Sequence, residues 1–223
     1  MMGLSFVQIG GDNDMDLTKL TVVGYAEKSS GEFQIQTLDE YGRTVKQYMW
    51  HDFDKKGSPY LGWYDGLEGK YVQEGEVVFS AGKGLWVMTT VEGLSLMCNG
   101  QVMTAAQTIP LQNNGLMVAN PFPVDVPLLN LWATGYDDTG KSSGEIQLQT
   151  LDEYGRTIKQ YFWHDFTKKG SVYYGWFDGL EGKYVTAEDN VVLNAGKAFW
   201  AICQMEQGRQ FYLNFPAILT EAK

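Results

Sequence analysis

The chain contains nearly the same stretch of 44 residues twice, and this repeat restricts its fold more than any other feature. The first copy begins SSGEFQIQTLDEYGRT and spans 29–72, and the second begins SSGEIQLQTLDEYGRT and spans 142–185. Only eight positions differ between the copies, and VVFSAGKGLW at 77–86 matches VVLNAGKAFW at 191–200. The sequence therefore predicts two tandem copies of one structural unit, residues 1–108 and 109–223.

Within each copy, the residue pattern is typical of β-strands. Phe33 and Ile35 alternate with Gln34 and Gln36, which is the period of a half-buried strand. DEYG at 39–42 indicates a turn, and the following TVKQYMWHDF is rich in β-branched and aromatic residues. The best helical candidates, MDLTKLT and VPLLNLW, are short. The prediction is an all-β fold in which each copy is a small β-sandwich or barrel-like domain.

The charge of the chain disfavours several classes of partner. The formal net charge is -10, so phosphate backbones and anionic lipid surfaces repel the protein, and neither nucleic acid nor a membrane is expected as a partner. The start of the sequence has no basic segment or long apolar run, so no signal peptide is expected. Two cysteines in a chain of this size do not make a disulfide framework, and we expect Cys98 and Cys203 to be reduced and mostly buried.

The differences between the copies predict which face of the hairpin is buried. In the two hairpin strands, all of the differences are apolar substitutions at alternate positions, which share one face of a strand. Apolar cores tolerate such volume-conserving changes. The predicted core positions are Phe33, Ile35, Val45 and Met49, with their counterparts Ile146, Leu148, Ile158 and Phe162.

The intervening positions are identical in both copies and predict a contact surface used twice. Aromatic side chains flanked by amides are a common composition of protein interfaces. The identity is also compatible with recent copying of the block, or with aromatic residues of the two halves that bury each other. The predicted protein-contact residues are Gln34, Gln36, Tyr48, Trp50, Gln147, Gln149, Tyr161 and Trp163.

Carbohydrate binding is a second hypothesis for the repeat. Both copies combine aromatic rings with a carboxylate, YLGWYDGLEGKY in the first and YYGWFDGLEGKY in the second, and sugar recognition needs ring stacking beside hydrogen-bonding groups. The simpler interpretation is a tryptophan that fills the core at a strand end, followed by an Asp-Gly turn. The candidate glycan residues are Tyr60, Trp63, Asp65, Tyr173, Trp176 and Asp178.

The sequence offers little support for metal binding or catalysis. His51 and its counterpart His164 are the only histidines, and one histidine per copy is too few for a metal site, so a packed histidine is the expectation. Asp12, Asp14 and Asp16 have the spacing that opens a calcium loop, but position 23 is Val where such a loop has Glu, which favours a solvated acidic turn. Motifs such as GxSxG and HExxH are absent from the sequence. We expect neither an enzyme nor a cofactor.

Four motifs relate the chain to other proteins: NPFPVDV at 120–126, and the repeated QTLDEYGRT, GWxDGLEG and VxxAGKxxW. In these motifs it resembles uncharacterised duplicated β-rich proteins of bacteria and their phages. The resemblance implies a structural protein of the virion, such as a capsid-decorating protein, that contacts copies of itself or capsid and tail proteins. It would be found in the virion, or in the cytoplasm before lysis. The alternative function is a β-sandwich module that binds a carbohydrate or a host surface.

Overall fold

The fold was analysed in a computed structural model of the chain. It describes residues 2–3, 6–7, 14–24, 29–80, 82–98, 101–102, 104–135, 142–204 and 209–218. Strands account for 59% of the structure, and helices of seven or more residues are absent from the described part, which confirms the predicted all-β class. The described residues include three short 3-10 helices, at Leu17–Lys19, Leu128–Asn130 and Ala187–Asp189. The first two lie inside the stretches that were the best helical candidates.

The strands are numbered β1 to β23 in chain order. The strands before residue 105 are β1 (Met2–Gly3), β2 (Phe6–Val7), β3 (Asp14–Asp16), β4 (Leu20–Val23), β5 (Ser29–Leu38), β6 (Thr44–Lys55), β7 (Ser58–Asp65), β8 (Lys70–Tyr71), β9 (Val78–Ser80), β10 (Gly84–Thr89), β11 (Ser95–Cys98) and β12 (Gln101–Val102). The remaining strands are β13 (Gln107–Pro110), β14 (Leu116–Ala119), β15 (Val126–Pro127), β16 (Trp132–Thr134), β17 (Ser142–Leu151), β18 (Thr157–Lys168), β19 (Ser171–Asp178), β20 (Lys183–Tyr184), β21 (Val192–Leu193), β22 (Ala198–Cys203) and β23 (Tyr212–Phe215).

Two six-stranded sheets with matching strand orders form the main part of the fold. The orders are β1-β10-β5-β6-β7-β8 and β14-β22-β17-β18-β19-β20, and neighbouring strands are antiparallel. The central hairpins have the same register, since Ile35 lies opposite Tyr48 and Leu148 lies opposite Tyr161. Smaller sheets, β4-β11, β3-β9, β2-β12, β13-β23-β16 and β15-β21, complete the structure.

The division of the chain into residues 1–108 and 109–223 stays a prediction. Its boundary lies inside strand β13, which pairs with β23 near the end of the described chain. A division before residue 107 would therefore keep β13 together with the strand that it contacts.

A tight turn that the sequence makes possible closes the second hairpin of each copy. Lys56 and Gly57 connect β6 to β7 and have φ angles of 52° and 81°. Two successive positive φ values define the hairpin turn whose twist matches that of the flanking strands, and glycine adopts them without strain. Lys169 and Gly170 repeat this turn between β18 and β19, with φ angles of 49° and 80°.

Each six-stranded sheet covers a hydrophobic core of its own. In the first core, Trp63 is buried and its indole N–H donates to the carbonyl oxygen of Leu20 at 2.8 Å. In the second, Trp176 donates to the carbonyl oxygen of Leu131 at 2.9 Å. Because a buried indole N–H needs an acceptor, these bonds tie the segment after the first two 3-10 helices to strands β7 and β19.

The predicted core face of the hairpin is right for its first strand and wrong for its second. Phe33 and Ile35 are buried, as are Ile146 and Leu148. On the second strand, Val45 is 51% exposed. Met49 is only partly buried and points to the outer face of the sheet. Their counterparts differ in the same way: Ile158 is 53% exposed and Phe162 is partly buried.

A β-bulge explains the error on the second strand. Leu38 pairs with Thr44, but Thr37 pairs with Lys46, so Val45 is an extra residue between two pairs. Because side chains alternate along a strand, one extra residue exchanges the faces of all residues beyond it. The same bulge occurs in the second copy at Ile158.

Candidate functional site

The aromatic residues predicted as contact anchors lie in the hydrophobic cores. Because of the bulge, Tyr48 and Trp50 face inward and are 4% and 6% exposed. Tyr161 and Trp163 are equally buried in the second core. Their placement on an outward face is therefore wrong. The four predicted glutamines, Gln34, Gln36, Gln147 and Gln149, do lie partly exposed on the outer faces of the sheets.

The residues predicted to bind a glycan do not form one exposed platform. Trp63 and Asp65 are 2% and 3% exposed, and Trp176 and Asp178 are equally buried in the second half. Trp63 packs edge-to-face against Trp50, with ring centroids 5.3 Å apart. The structure thus supports the simpler interpretation of a core tryptophan followed by a turn. Tyr60 and Tyr173 are partly exposed but lie on the opposite face of the sheet.

The buried aspartate of this motif stabilises the turn that follows it. Asp65 Oδ1 accepts from the backbone N–H groups of Leu67 and Glu68, both at 2.9 Å, and Oδ2 is 3.3 Å from Lys46 Nζ. Burial acts to raise the pKa of Asp65, but the two N–H donors and the Lys46 ammonium outweigh it and hold the pKa below its usual value. Asp178 has the same partners in the second copy and a lowered pKa for the same reasons. The turn that follows the strand therefore explains why Asp65 and Asp178 are buried.

A cluster of partly exposed rings covers the outer face of each sheet, and the sequence reasoning missed it. In the first half, the His51 ring stacks on Tyr64 with centroids 4.9 Å apart, and Phe53 stacks on Tyr60 at 5.1 Å. Tyr71 contacts both stacks. The second half repeats the arrangement. We call these two groups the outer ring clusters: His51, Phe53, Tyr60, Tyr64 and Tyr71, and His164, Phe166, Tyr173, Phe177 and Tyr184.

The histidines belong to these clusters and are held by tyrosines. His51 Nδ1 lies 2.8 Å from Tyr71 Oη, and His164 Nδ1 lies 2.8 Å from Tyr184 Oη. Burial lowers the pKa of both histidines, since it disfavours the charged imidazolium, and Glu32 and Glu145 offset this only in part. This geometry agrees with the expectation that the histidines are packed against their neighbours. Groups of three or more potential metal ligands are absent from the described residues, and Asp12 lies outside them.

The two halves meet along a short seam. Ala119 donates its N–H to the carbonyl oxygen of Gly82 at 2.8 Å, and Lys83 forms an isolated bridge with Val118. At Gly84, a β-carbon would lie only 2.4 Å from Cγ of Met117, so the approach requires glycine. A small apolar cluster fills this seam: Met117, Ala119 and Ala198, with Leu38, Trp86 and Trp200 packed against them.

A cleft of about 550 Å³ opens beside the seam, and equivalent residues of the two halves line it. We call it the junction cleft. Both DEYG turns line the cleft. Each sheet also contributes a partly exposed tryptophan: Trp86, which lies opposite Gln36, and Trp200, which lies opposite Gln149. Its lining residues are Gln36, Leu38, Glu40, Tyr41, Gly42, Thr44 and Trp86 from the first half, and Gln149, Leu151, Tyr154, Gly155, Thr157 and Trp200 from the second.

The predicted reduced and buried state is confirmed for Cys203. Cys203 is a free, fully buried thiol, and burial raises its pKa to about 12. The side chain of Cys98 lies outside the described residues. Within the described part of the chain, no helix is long and apolar enough to cross a membrane.

Comparisons with known proteins add no family to these observations. No protein-family model, no curated protein and no solved structure matches the chain.

Proposed function

We propose that the chain is a non-enzymatic assembly protein that binds copies of itself through its outer ring clusters. The observation that carries the proposal is that equivalent groups of five rings, which differ only in Tyr64 and Phe177, lie partly exposed on both six-stranded sheets. Aromatic side chains are enriched in the energetically important centres of protein interfaces. A chain with two equivalent binding surfaces can contact two other copies of itself, as subunits of an extended assembly do.

The chemistry around the rings supports a protein partner. On the first sheet, Gln34 and Gln47 lie on the same outer face as the rings and join each other through a side-chain hydrogen bond of 2.6 Å. Gln147 and Gln160 repeat this bond at 2.7 Å. Aromatic side chains are enriched at interface centres, and the amides on the same face supply hydrogen-bonding groups to a protein partner.

We infer further that the two halves are tandem copies of a small β-sandwich-like domain that arose by duplication. The repeated sequence block, the matching strand orders and the repeated bulge support this inference. A duplicated assembly protein suits a phage virion, where a capsid-decorating protein meets equivalent subunits many times. Capsid and tail genes beside its gene would support this setting, and a neighbourhood of metabolic genes would contradict it.

Sedimentation velocity tests the assembly directly. The wild-type chain should form oligomers whose population grows with concentration, and the double variant Tyr60→Lys, Tyr173→Lys should sediment as a monomer with an unchanged circular dichroism spectrum. Leu67→Lys with Leu180→Lys is the matched control, since these side chains are both 61% exposed and lie outside the clusters. A wild-type chain that stays monomeric at every concentration, or a control that dissociates equally, would refute the proposal.

A further inference from the structure

We propose that the junction cleft binds a neutral oligosaccharide, with one sugar ring against Trp86 and another against Trp200. This site is separate from the outer ring clusters, and the proposal does not depend on the proposed assembly function. It also differs from the glycan site predicted from the sequence, whose tryptophans are buried.

The two tryptophans are supported in ways that leave ring surface facing the cleft. A β-carbon at Gly115 would lie 2.5 Å from Cζ2 of Trp200, so the indole rests directly on the backbone there. Trp86 crosses the seam, and its Cη2 atom comes within 3.4 Å of the position of a β-carbon at Gly155. Both rings are only partly buried, and both line the cleft. A flat, fixed aromatic surface is what the apolar face of a sugar ring packs against.

Each tryptophan has a fixed amide beside it. Gln36 lies directly opposite Trp86 on the neighbouring strand, and Gln149 lies opposite Trp200 in the same way. Residues opposite each other in an antiparallel pair have β-carbons about 5 Å apart. Thr44 Oγ1 donates to Oε1 of Gln36 at 2.9 Å, which orients the amide and leaves its NH₂ group to donate.

The second half repeats this polar arrangement, because Thr157 Oγ1 donates to Oε1 of Gln149 at 2.9 Å. Each half of the cleft therefore offers a ring to stack on and an amide donor. Such a combination suits the hydroxyl groups of a sugar, and two such half-sites suit two sugar rings.

The charge and size of the cleft narrow the ligand class further. Glu40 is the only charged residue among those that line it, and the whole chain carries a net charge of -10, so phosphates and acidic glycans are disfavoured. The volume of about 550 Å³ lies within the range of about 300–1,000 Å³ usual for small-ligand sites. A proline-rich peptide also packs on aromatic rings, but the donor groups beside both rings favour a ligand rich in hydroxyl groups.

Calorimetric titration with cellohexaose, maltohexaose and chitohexaose tests the site. At least one of these neutral oligosaccharides should bind, and Trp86→Ala or Trp200→Ala should each raise its Kd about tenfold, which corresponds to about 1.4 kcal/mol. Trp132→Ala is the matched control, because Trp132 is 37% exposed and lies outside the cleft. The double variant Gln36→Ala, Gln149→Ala removes partly exposed amides, so it should fold normally and weaken binding as well.

Several outcomes would overturn this proposal. They are binding of none of the three oligosaccharides, equal loss of affinity in Trp132→Ala, and unchanged affinity in the glutamine variant. Titration with a decaproline peptide distinguishes the competing occupant: tight peptide binding lost in Trp86→Ala, without oligosaccharide binding, would assign the cleft to peptides. Sedimentation of the Trp86→Ala and Trp200→Ala variants should match the wild type, which keeps a failure here distinct from a failure of the assembly proposal.

Discussion

The changed face of the second hairpin strand makes a sharp prediction about one apolar residue on each strand of the hairpin. Ile35 is fully buried, whereas Val45, the extra residue of the bulge, is 51% exposed. Ile35→Ala removes three carbon atoms from the core at about 0.8 kcal/mol each, or about 2.4 kcal/mol before any cavity term. Core substitutions of this kind cost about 2–5 kcal/mol in total. We therefore expect Ile35→Ala to lower the free energy of unfolding by about 3–4 kcal/mol.

Val45→Ala removes two carbon atoms, but about half of the side chain already contacts water. We therefore expect it to lower the free energy of unfolding by less than about 1 kcal/mol. Guanidinium unfolding followed by tryptophan fluorescence measures both values. The second copy supplies an independent comparison, since Leu148 is 1% exposed and Ile158 is 53% exposed. If Val45→Ala and Ile35→Ala destabilise the protein equally, the second strand faces the core as the uninterrupted alternation implies, and the bulge is misplaced.

Three further predictions test the cores and the turns. Trp63→Phe should destabilise the protein by about 1–3 kcal/mol, as measured by denaturant unfolding, because it leaves the carbonyl oxygen of Leu20 buried without its donor; a loss near zero would contradict this. Because Asp65 and Asp178 have lowered pKa values when folded, the unfolded chain takes up protons first as the pH falls, and their contribution to stability is present above about pH 4 and lost below it. The double variant Asp65→Asn, Asp178→Asn should therefore have a lower free energy of unfolding at pH 7, and that free energy should fall less steeply in acid than in the wild type. Asp52→Asn is the control, because Asp52 is exposed. An equal change in this control would argue against the mechanism. In a Cys98→Ser background, Cys203 should resist a thiol reagent at pH 8 and react on unfolding, since its pKa is about 12; rapid reaction of the folded protein would show that the thiol is accessible.

Sequence reasoning succeeded where local patterns decide the structure. Alternation at Phe33 and Ile35 identified the buried face of β5, and the DEYG turn placed the first hairpin of each copy. The short segments before β4 and β16 were the right places for helical turns. The sequence does carry a signal for the outer ring clusters. If Tyr48 and Trp50 face the core, alternation along β6 places His51 and Phe53 on the outer face. Their assignment failed only because the bulge was not anticipated.

By itself, the sequence determined the all-β class, the repeated block and the turns that divide it, because strand alternation and turn chemistry act over a few residues. The tertiary structure alone decided which face of β6 is buried. One extra residue at Val45 exchanges the buried and exposed faces of the rest of the strand without changing its composition. The tertiary structure also created the junction cleft. That site depends on the approach of Gly84 to Met117 and of Trp86 to Gly155, residues far apart in the chain that no local pattern connects.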